Sequence, residues 1–217
     1  MSTKKSKIAV IGLGNVGKVV AANLVKGNRQ VIVATKTIED ATTIAKELGS
    51  LATAMDVGAA IKAADIIVLA VLFSTIKEFA VKFSAQLEGK IVIDPSNPIA
   101  PDGSGGFKKI IGEKESAGQT IAAILPKSVK LAKALGSLSA GSLASAARKK
   151  PEAAVLFYAT DDDAINRKIE ELIKDSGFEP LHIGKIDQSI RIEVFGDLHE
   201  FGGLGKTISV ADANARI

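Results

Sequence analysis

The stretch from Lys7 to Gly17, Lys-Ile-Ala-Val-Ile-Gly-Leu-Gly-Asn-Val-Gly, constrains the fold more than any other part of the chain. Ile8 to Ile11 is a short apolar run rich in β-branched residues, which is typical of a strand buried on both faces. A helical stretch with a regularly spaced apolar face follows from Val16. A strand that enters a helix through a glycine turn predicts an α/β fold of the doubly wound, Rossmann-like type.

The glycines of this turn have the G-x-G-x-x-G spacing of a dinucleotide site. The first glycine allows the tight turn, the second lets the backbone approach a pyrophosphate, and the third lets helix and strand pack closely. N–H groups and the dipole at the helix start favour anionic phosphates. The alternative is a β-turn-α unit without a ligand, which the surrounding strand-helix-strand order disfavours. The predicted pyrophosphate-binding residues are Gly12, Leu13, Gly14, Asn15, Val16 and Gly17.

The second predicted strand, Gln30 to Thr35, ends at Thr35-Lys36-Thr37. An acidic residue at this position would hydrogen-bond the ribose hydroxyls of NAD and repel a 2′-phosphate. The hydroxyls and the ammonium of this chain suit a phosphate instead. The sequence therefore predicts NADP as cofactor, with Thr35 and Lys36 at the 2′-phosphate. The alternative is that they are ordinary loop residues.

Two more loops follow buried strands and are expected at the same edge of the sheet, where ligands bind in open parallel sheets. In the second loop, two prolines fix the backbone, and Asn97 offers the donor and acceptor that a carboxamide such as nicotinamide requires. The alternative is a turn in which Asn97 only caps a neighbour. The predicted cofactor contacts in these loops are Ala70, Val71, Leu72, Phe73, Pro95, Ser96 and Asn97.

Alternating apolar runs and amphipathic stretches predict a mostly parallel sheet of about eight strands with a short C-terminal helical extension. Residues 1–183 are expected to form the dinucleotide-binding domain. Residues 184–217 would complete the substrate cleft or a dimer contact. Within this extension, 186–201 is predicted to be helical, and the tail from 206 to be frayed or docked on a partner chain. Upstream, 75–87 reads as one helix and 101–106 as a cover or surface loop.

Composition excludes several classes of protein. The chain has 217 residues, is 47% hydrophobic and contains no cysteine, so disulfides and cysteine metal sites are excluded. Its net charge is +4, but the lysines at Lys4-Lys5 and the basic run at 148–150 lack aromatic neighbours for base stacking, so no nucleic-acid partner is expected. The longest apolar stretch is far too short for a membrane span. These features predict a cytoplasmic protein without membrane contact.

Titratable residues give little sign of acid–base chemistry. Three aspartates at 161–163 are read as a helix N-terminus rather than a metal site, and no metal is predicted. His182 and His199 are each expected to be a surface or satisfied histidine, with proton donation as the alternative. Lys133 is the candidate for orienting an acidic second substrate, with a solvent-exposed lysine at a strand end as the alternative.

The chain resembles the deazaflavin-dependent NADP oxidoreductase family and is similar to the reductase domains of membrane ferric reductases. The resemblance runs from Lys7 to about Gly205. It rests on the glycine turn, Thr35-Lys36, Ala70 to Phe73, the Asp94-Pro-Ser-Asn-Pro loop with its glycine-rich sequel, and several later segments, among them 129–137. Many relatives carry Phe-Asn-Thr where this chain has Leu135-Gly136-Ser137.

The resemblance implies hydride transfer between NADPH and a flavin-like or deazaflavin acceptor, a small-molecule redox partner. Lys133 and Ser137 are then the substrate-orienting candidates, and a homodimer is expected. Two stacked redox rings need positioning at about 3–3.5 Å and no general acid or base. A non-catalytic NADP-binding sensor or interaction module is the alternative. A dehydrogenase of small carbonyls or imines is disfavoured, because only about thirty residues follow the predicted domain.

Overall fold

The computed structural model describes residues 5–217, so the first four residues of the predicted domain, Lys4 among them, lie outside the described part. Within that part, an eight-stranded sheet has the order β10-β9-β8-β5-β4-β1-β2-β3. Only the β8–β9 pairing within this sheet is antiparallel, so β9 and β10 run against the other six strands. The predicted Rossmann-like, mostly parallel sheet is confirmed. The strands are β1 Ile8–Ile11, β2 Val31–Ala34, β3 Ala52–Ala54, β4 Ile66–Leu69, β5 Ile91–Asp94, β6 Ile99–Pro101, β7 Phe107–Lys109, β8 Lys130–Ala134, β9 Val155–Thr160 and β10 Glu179–His182.

Helices cover both faces of the sheet, because the strands are apolar on both sides. One face packs against α1, α2, α7 and α8 through residues such as Leu24 and Leu172. The other packs against α3, α4 and α6 through residues such as Ile61 and Ile121. The helices are α1 Asn15–Lys26, α2 Ile38–Leu48, α3 Val57–Ala63, α4 Ile76–Lys82, α5 Ser84–Leu87, α6 Ala117–Ile124, α7 Ala140–Ser145, α8 Asn166–Asp175 and α9 Val210–Asn214.

One segment differs from the sequence prediction, and another agrees with a predicted surface loop but lies in a hairpin that was not predicted. The helix expected over 75–87 is divided at Phe83, whose φ of −112° and ψ of 18° separate α4 from α5. The expected loop at 101–106 is the turn of a hairpin in which β6 pairs antiparallel with β7. The carboxylate of Asp102 closes this turn by accepting from the N–H groups of Ser104 and Gly106.

The C-terminal extension packs on its own chain. Val155 of β9 donates its N–H to the carbonyl of Ile208 at 3.0 Å, and Ile208 and Ala213 are buried beside β9. The tail therefore docks on its own chain, an arrangement that the prediction did not include. Within the described residues, no helix has both the length and the apolarity needed to cross a bilayer.

The helix predicted over 186–201 is a 3-10 turn over Ile186–Ile192 that ends in extended backbone at Glu193. The reason is a side chain: the buried carboxylate of Glu193 accepts from the N–H groups of Ala117 and Gly118, at 2.9 and 3.0 Å, in the first turn of α6. It also accepts from the hydroxyl of Ser189 at 2.8 Å. A carboxylate at a helix N-terminus satisfies unpaired N–H groups, which periodicity does not reveal.

We predict that Glu193→Gln lowers the free energy of unfolding by about 1–3 kcal/mol, because an amide N–H₂ would replace one acceptor facing buried donors. Urea unfolding of the variant and of the exposed control Glu88→Gln measures the effect. Equal midpoints for the two variants would contradict this role of Glu193.

Candidate functional site: a nucleotide cleft at the carboxyl edge of the sheet

The glycine turn lies between β1 and α1, where the strand order changes direction. Gly12 has φ +90°, and its N–H donates to the carbonyl of Ala34 at 2.9 Å. A Cβ on Gly12 would overlap the carbonyl of Ala70, and one on Gly17 would overlap the carbonyl of Gly12. These two glycines therefore let α1 approach β1 and β4 closely, as the spacing predicted.

Gly14 has a different role, because open space surrounds the place where its Cβ would be. It is the N-cap of α1, which has neither a side-chain cap nor an acidic residue in its first turn. The N–H groups of the first turn, at Asn15 and Val16, have no acceptor within the helix. An uncapped, unobstructed helix N-terminus at this edge fits the diphosphate of a dinucleotide.

The end of β2 supplies the residues predicted for the 2′-phosphate. Lys36 is exposed and Thr35 is half-buried. Thr37 instead caps α2, accepting from the N–H of Asp40 and donating to its carboxylate at 2.6 Å. Asp40 is thereby held in the cap of α2, where it keeps its negative charge.

The loop after β4 lies beside the glycine turn. Ala70 donates its N–H to the carbonyl of Ile11 at 2.8 Å, which fixes the loop against β1. Val71 and Phe73 are half-buried, whereas Leu72 is 73% exposed. Of the predicted residues, Ala70 and Val71 therefore lie next to Gly12, as a shared cleft requires.

The loop after β5 is held from within the protein. Asn97 donates its amide to the carbonyl of Gly136 at 3.0 Å and accepts the N–H of Val194 at 2.7 Å. Both amide groups of Asn97 are therefore engaged, which is the geometry of the capping alternative rather than of a carboxamide contact. Pro95 and Ser96 are buried in the same loop.

Lys133 is placed differently from either prediction made for it. Its side chain is 2% exposed, and its ammonium lies 2.6 Å from the carboxylate of Asp94 and donates to the carbonyl of Ser96. Lys133 therefore neutralises a buried carboxylate under the loop after β5, and does not project towards a substrate. A buried charge requires such a partner.

Two hydroxyls in this region have no partner among the described residues. They are the Oγ atoms of Ser96 and Ser137, both in residues more than nine-tenths buried. A buried polar atom without a hydrogen bond costs about 1–3 kcal/mol. Ser137 is a predicted substrate-orienting residue, and its buried hydroxyl, three residues after the end of β8, has no hydrogen-bond partner among the described residues.

His199 is buried next to the same loops and is held as the neutral tautomer. Its Nδ1 accepts the N–H of Phe201 at 2.9 Å, so its Nε2 donates to the carbonyl of Gly136 at 3.1 Å. Burial lowers the pKa of His199 to about 4, against the opposing influence of Gly136 and Glu200. His182 lies on the edge strand β10, where it stacks on Tyr158.

Sequence reasoning missed two glutamates, Glu193 and Glu200, of the C-terminal segment, residues 184–217. Besides Glu193 on α6, Glu200 accepts from the N–H of Ser139 at 2.7 Å and from the hydroxyl of Ser142, at the start of α7. No motif marks either residue, because their partners lie about 60 to 75 residues away. Of the three aspartates, Asp161 accepts from the N–H of Ile186, and Asp162 pairs with Lys130.

The fold and the glycine turn agree with a family match over the first part of the chain, which is to NADP-dependent oxidoreductases. The family model that matches, over residues 7–98, is described as NADP oxidoreductase, coenzyme F420-dependent. This confirms the resemblance to that family, coenzyme F420 being a deazaflavin. No functionally curated protein matches the sequence.

Solved structures share the whole fold. A hypothetical protein from Sinorhizobium meliloti is 25% identical, with a TM-score of 0.80 over 94% of this chain and 95% of that one. A candidate F420-dependent NADP reductase from Arthrobacter sp. FB24 is 20% identical, with a TM-score of 0.73 over 85% of this chain and 87% of that one. A 3-hydroxyisobutyrate dehydrogenase from Mycobacterium tuberculosis is 17% identical, with a TM-score of 0.63 over 86% of this chain and 57% of that longer one.

Gly14 and Gly17 allow a paired test of the cleft. We expect the free energy of unfolding of Gly14→Ala to lie within about 1 kcal/mol of that of the unsubstituted protein, because the added Cβ meets no atom. It should bind NADPH at least about tenfold more weakly, because the methyl group occupies the diphosphate position. Gly17→Ala should instead destabilise the fold by about 1–3 kcal/mol through overpacking.

Urea unfolding and calorimetric titration with NADPH measure these effects. Undiminished NADPH affinity in Gly14→Ala would contradict the placement of the diphosphate at this helix N-terminus.

His199 predicts a pH dependence of stability. Its pKa in the folded protein, about 4, lies below the unfolded value of 6.5, so the unfolded chain binds the proton first as pH falls. The contribution of neutral His199 to the free energy of unfolding is fully present above pH 6.5. The free energy of unfolding should be about 2 kcal/mol lower at pH 5. Urea unfolding at pH 7.5 and pH 5 measures this loss. His199→Gln retains a donor but cannot titrate, so an equal loss in this variant would exclude His199 as the cause.

Proposed function

We propose that the protein transfers hydride between NADPH and a flavin-like or deazaflavin acceptor. The observation that supports this most directly is the open, uncapped N-terminus of α1 at Gly14, beside the exposed Lys36. The match of residues 7–98 to the F420-dependent family supports the acceptor class.

The chain's own residues account for binding and orientation. NADPH, when bound, supplies the hydride. N–H groups at the start of α1 would hold its diphosphate, and Thr35 and Lys36 its 2′-phosphate. The loops after β4 and β5 would form the walls of the nicotinamide position. In these loops the protein contributes position rather than proton transfer, since Lys133 is paired with Asp94 and both ring nitrogens of His199 are hydrogen-bonded to backbone groups.

A non-catalytic NADP-binding module is the second candidate. It is favoured by one observation: Asn97 and Lys133, two of the polar side chains predicted to face ligands, are both engaged inside the protein. Turnover separates the two functions. NADPH oxidation is measured with deazaflavin, FMN, FAD and quinone acceptors. Oxidation with any of them excludes the module, whereas NADPH binding without oxidation refutes the proposed reductase.

Cofactor choice is tested at Lys36. Lys36→Asp should weaken NADPH binding at least about tenfold, because an ammonium–phosphate contact is replaced by repulsion, and leave NADH binding nearly unchanged. Lys168→Asp, an exposed change of equal charge in the first turn of α8, is the control. Calorimetric titration measures both affinities. Equal losses for NADPH and NADH would refute the 2′-phosphate assignment.

A further inference from the structure

Two phenylalanines of the C-terminal segment expose large parts of their rings. Phe195 is 52% exposed and Phe201 is 57% exposed. An exposed aromatic ring forgoes the stabilisation that burial would give it. A rigid pair of such rings beside a cleft is therefore a candidate binding surface.

The backbone that carries both rings is bonded to the loops that form the proposed nicotinamide position. Phe195 follows Val194, whose N–H is bonded to the side chain of Asn97 in the loop after β5. Phe201 donates its N–H to His199, which in turn contacts the carbonyl of Gly136 after β8. Each phenylalanine is thus within two residues of a direct contact to the cleft loops.

The backbone that carries the rings is held firmly. The buried Glu193 anchors it to α6, and Glu200 anchors it to α7. The two phenylalanine turns also touch each other, since Gly203 donates its N–H to the carbonyl of Gly196 at 3.0 Å. A site held in this way does not have to be ordered when a ligand binds, which favours affinity.

Two observations point to a ligand rather than to a chance exposure. Phe195 has φ +72°, a left-handed conformation that costs a bulky residue free energy and would suit glycine or asparagine better. The hydroxyls of Ser96 and Ser137, in the loops that Asn97 and His199 join to this segment, have no partner among the described residues.

We propose that Phe195 and Phe201 bind the ring system of the electron acceptor, which is a planar, conjugated heterocycle. The inference rests on the proposed function. Stacking against phenylalanine suits a flat ring and not a small hydroxy acid or imine. The C4–H bond of the dihydronicotinamide breaks, and a bond between that hydride and a ring atom of the acceptor forms. The hydride brings two electrons to the acceptor, NADP⁺ is left, and the one proton that completes the reduction comes from solvent.

The test is the double variant Phe195→Asn, Phe201→Ala, with Val81→Asn as control. Asparagine tolerates the left-handed conformation at 195, and Val81 is an exposed apolar residue on α4. Steady-state oxidation of NADPH by FMN, or by the best acceptor of the screen, gives both KM values. We expect the KM for the acceptor to rise at least about tenfold in the double variant. The KM for NADPH and both values for the control should stay unchanged.

An unchanged KM for the acceptor in the double variant would overturn the inference while leaving the reductase function intact. So would a change from dimer to monomer in sedimentation, because the rings would then form a subunit contact. If none of the acceptors in the screen supports NADPH oxidation by the unsubstituted protein, the proposed function fails. Calorimetric titration of the NADP⁺-saturated protein with FMN then decides the inference. Binding that is lost in the double variant supports it, and absent or unaltered binding refutes it.

Discussion

The close approach of α1 to β1 and β4 is the constraint on which the cleft depends. Gly12 and Gly17 permit it, because a Cβ at either position would overlap backbone. The approach brings the uncapped N-terminus of α1 to the edge where the loops after β4 and β5 also end. Gly14 faces open space at that point. Backbone sterics, rather than any catalytic side chain, thus create the site for a diphosphate.

The opposite wall of the cleft is assembled over long sequence distances. Glu193 and Glu200 cap α6 and α7 with buried or half-buried carboxylates, and the residues beside them contact Asn97 and Gly136. The carbonyl of Gly136 accepts from both Asn97 and His199. The C-terminal segment is therefore integral to the loops after β5 and β8. This network also fixes the backbone of Phe195 and Phe201 beside those loops, where we propose that a second substrate meets the nicotinamide.

Patterns within a few neighbouring residues were sufficient to predict the strands of the main sheet and the glycine turn. The apolar runs identified the eight strands of the main sheet, and the glycine spacing identified the turn before α1. Predictions for single polar side chains were less successful. Asn97 and Lys133 read as ligand-facing residues, yet their nearest partners are Val194, Gly136 and Asp94. Whether a polar side chain faces a ligand or a distant backbone group depends on contacts that sequence spacing does not encode.

The sequence by itself determined the Rossmann-like sheet and the glycine turn, because hydrophobic periodicity and the conformational freedom of glycine act within a few residues. Only the tertiary structure decided the conformation of residues 186–201, which form a 3-10 turn over Ile186–Ile192 and extended backbone at Glu193 instead of one helix. The physical reason is that the energy of its buried carboxylates is realised at helix termini far away in sequence.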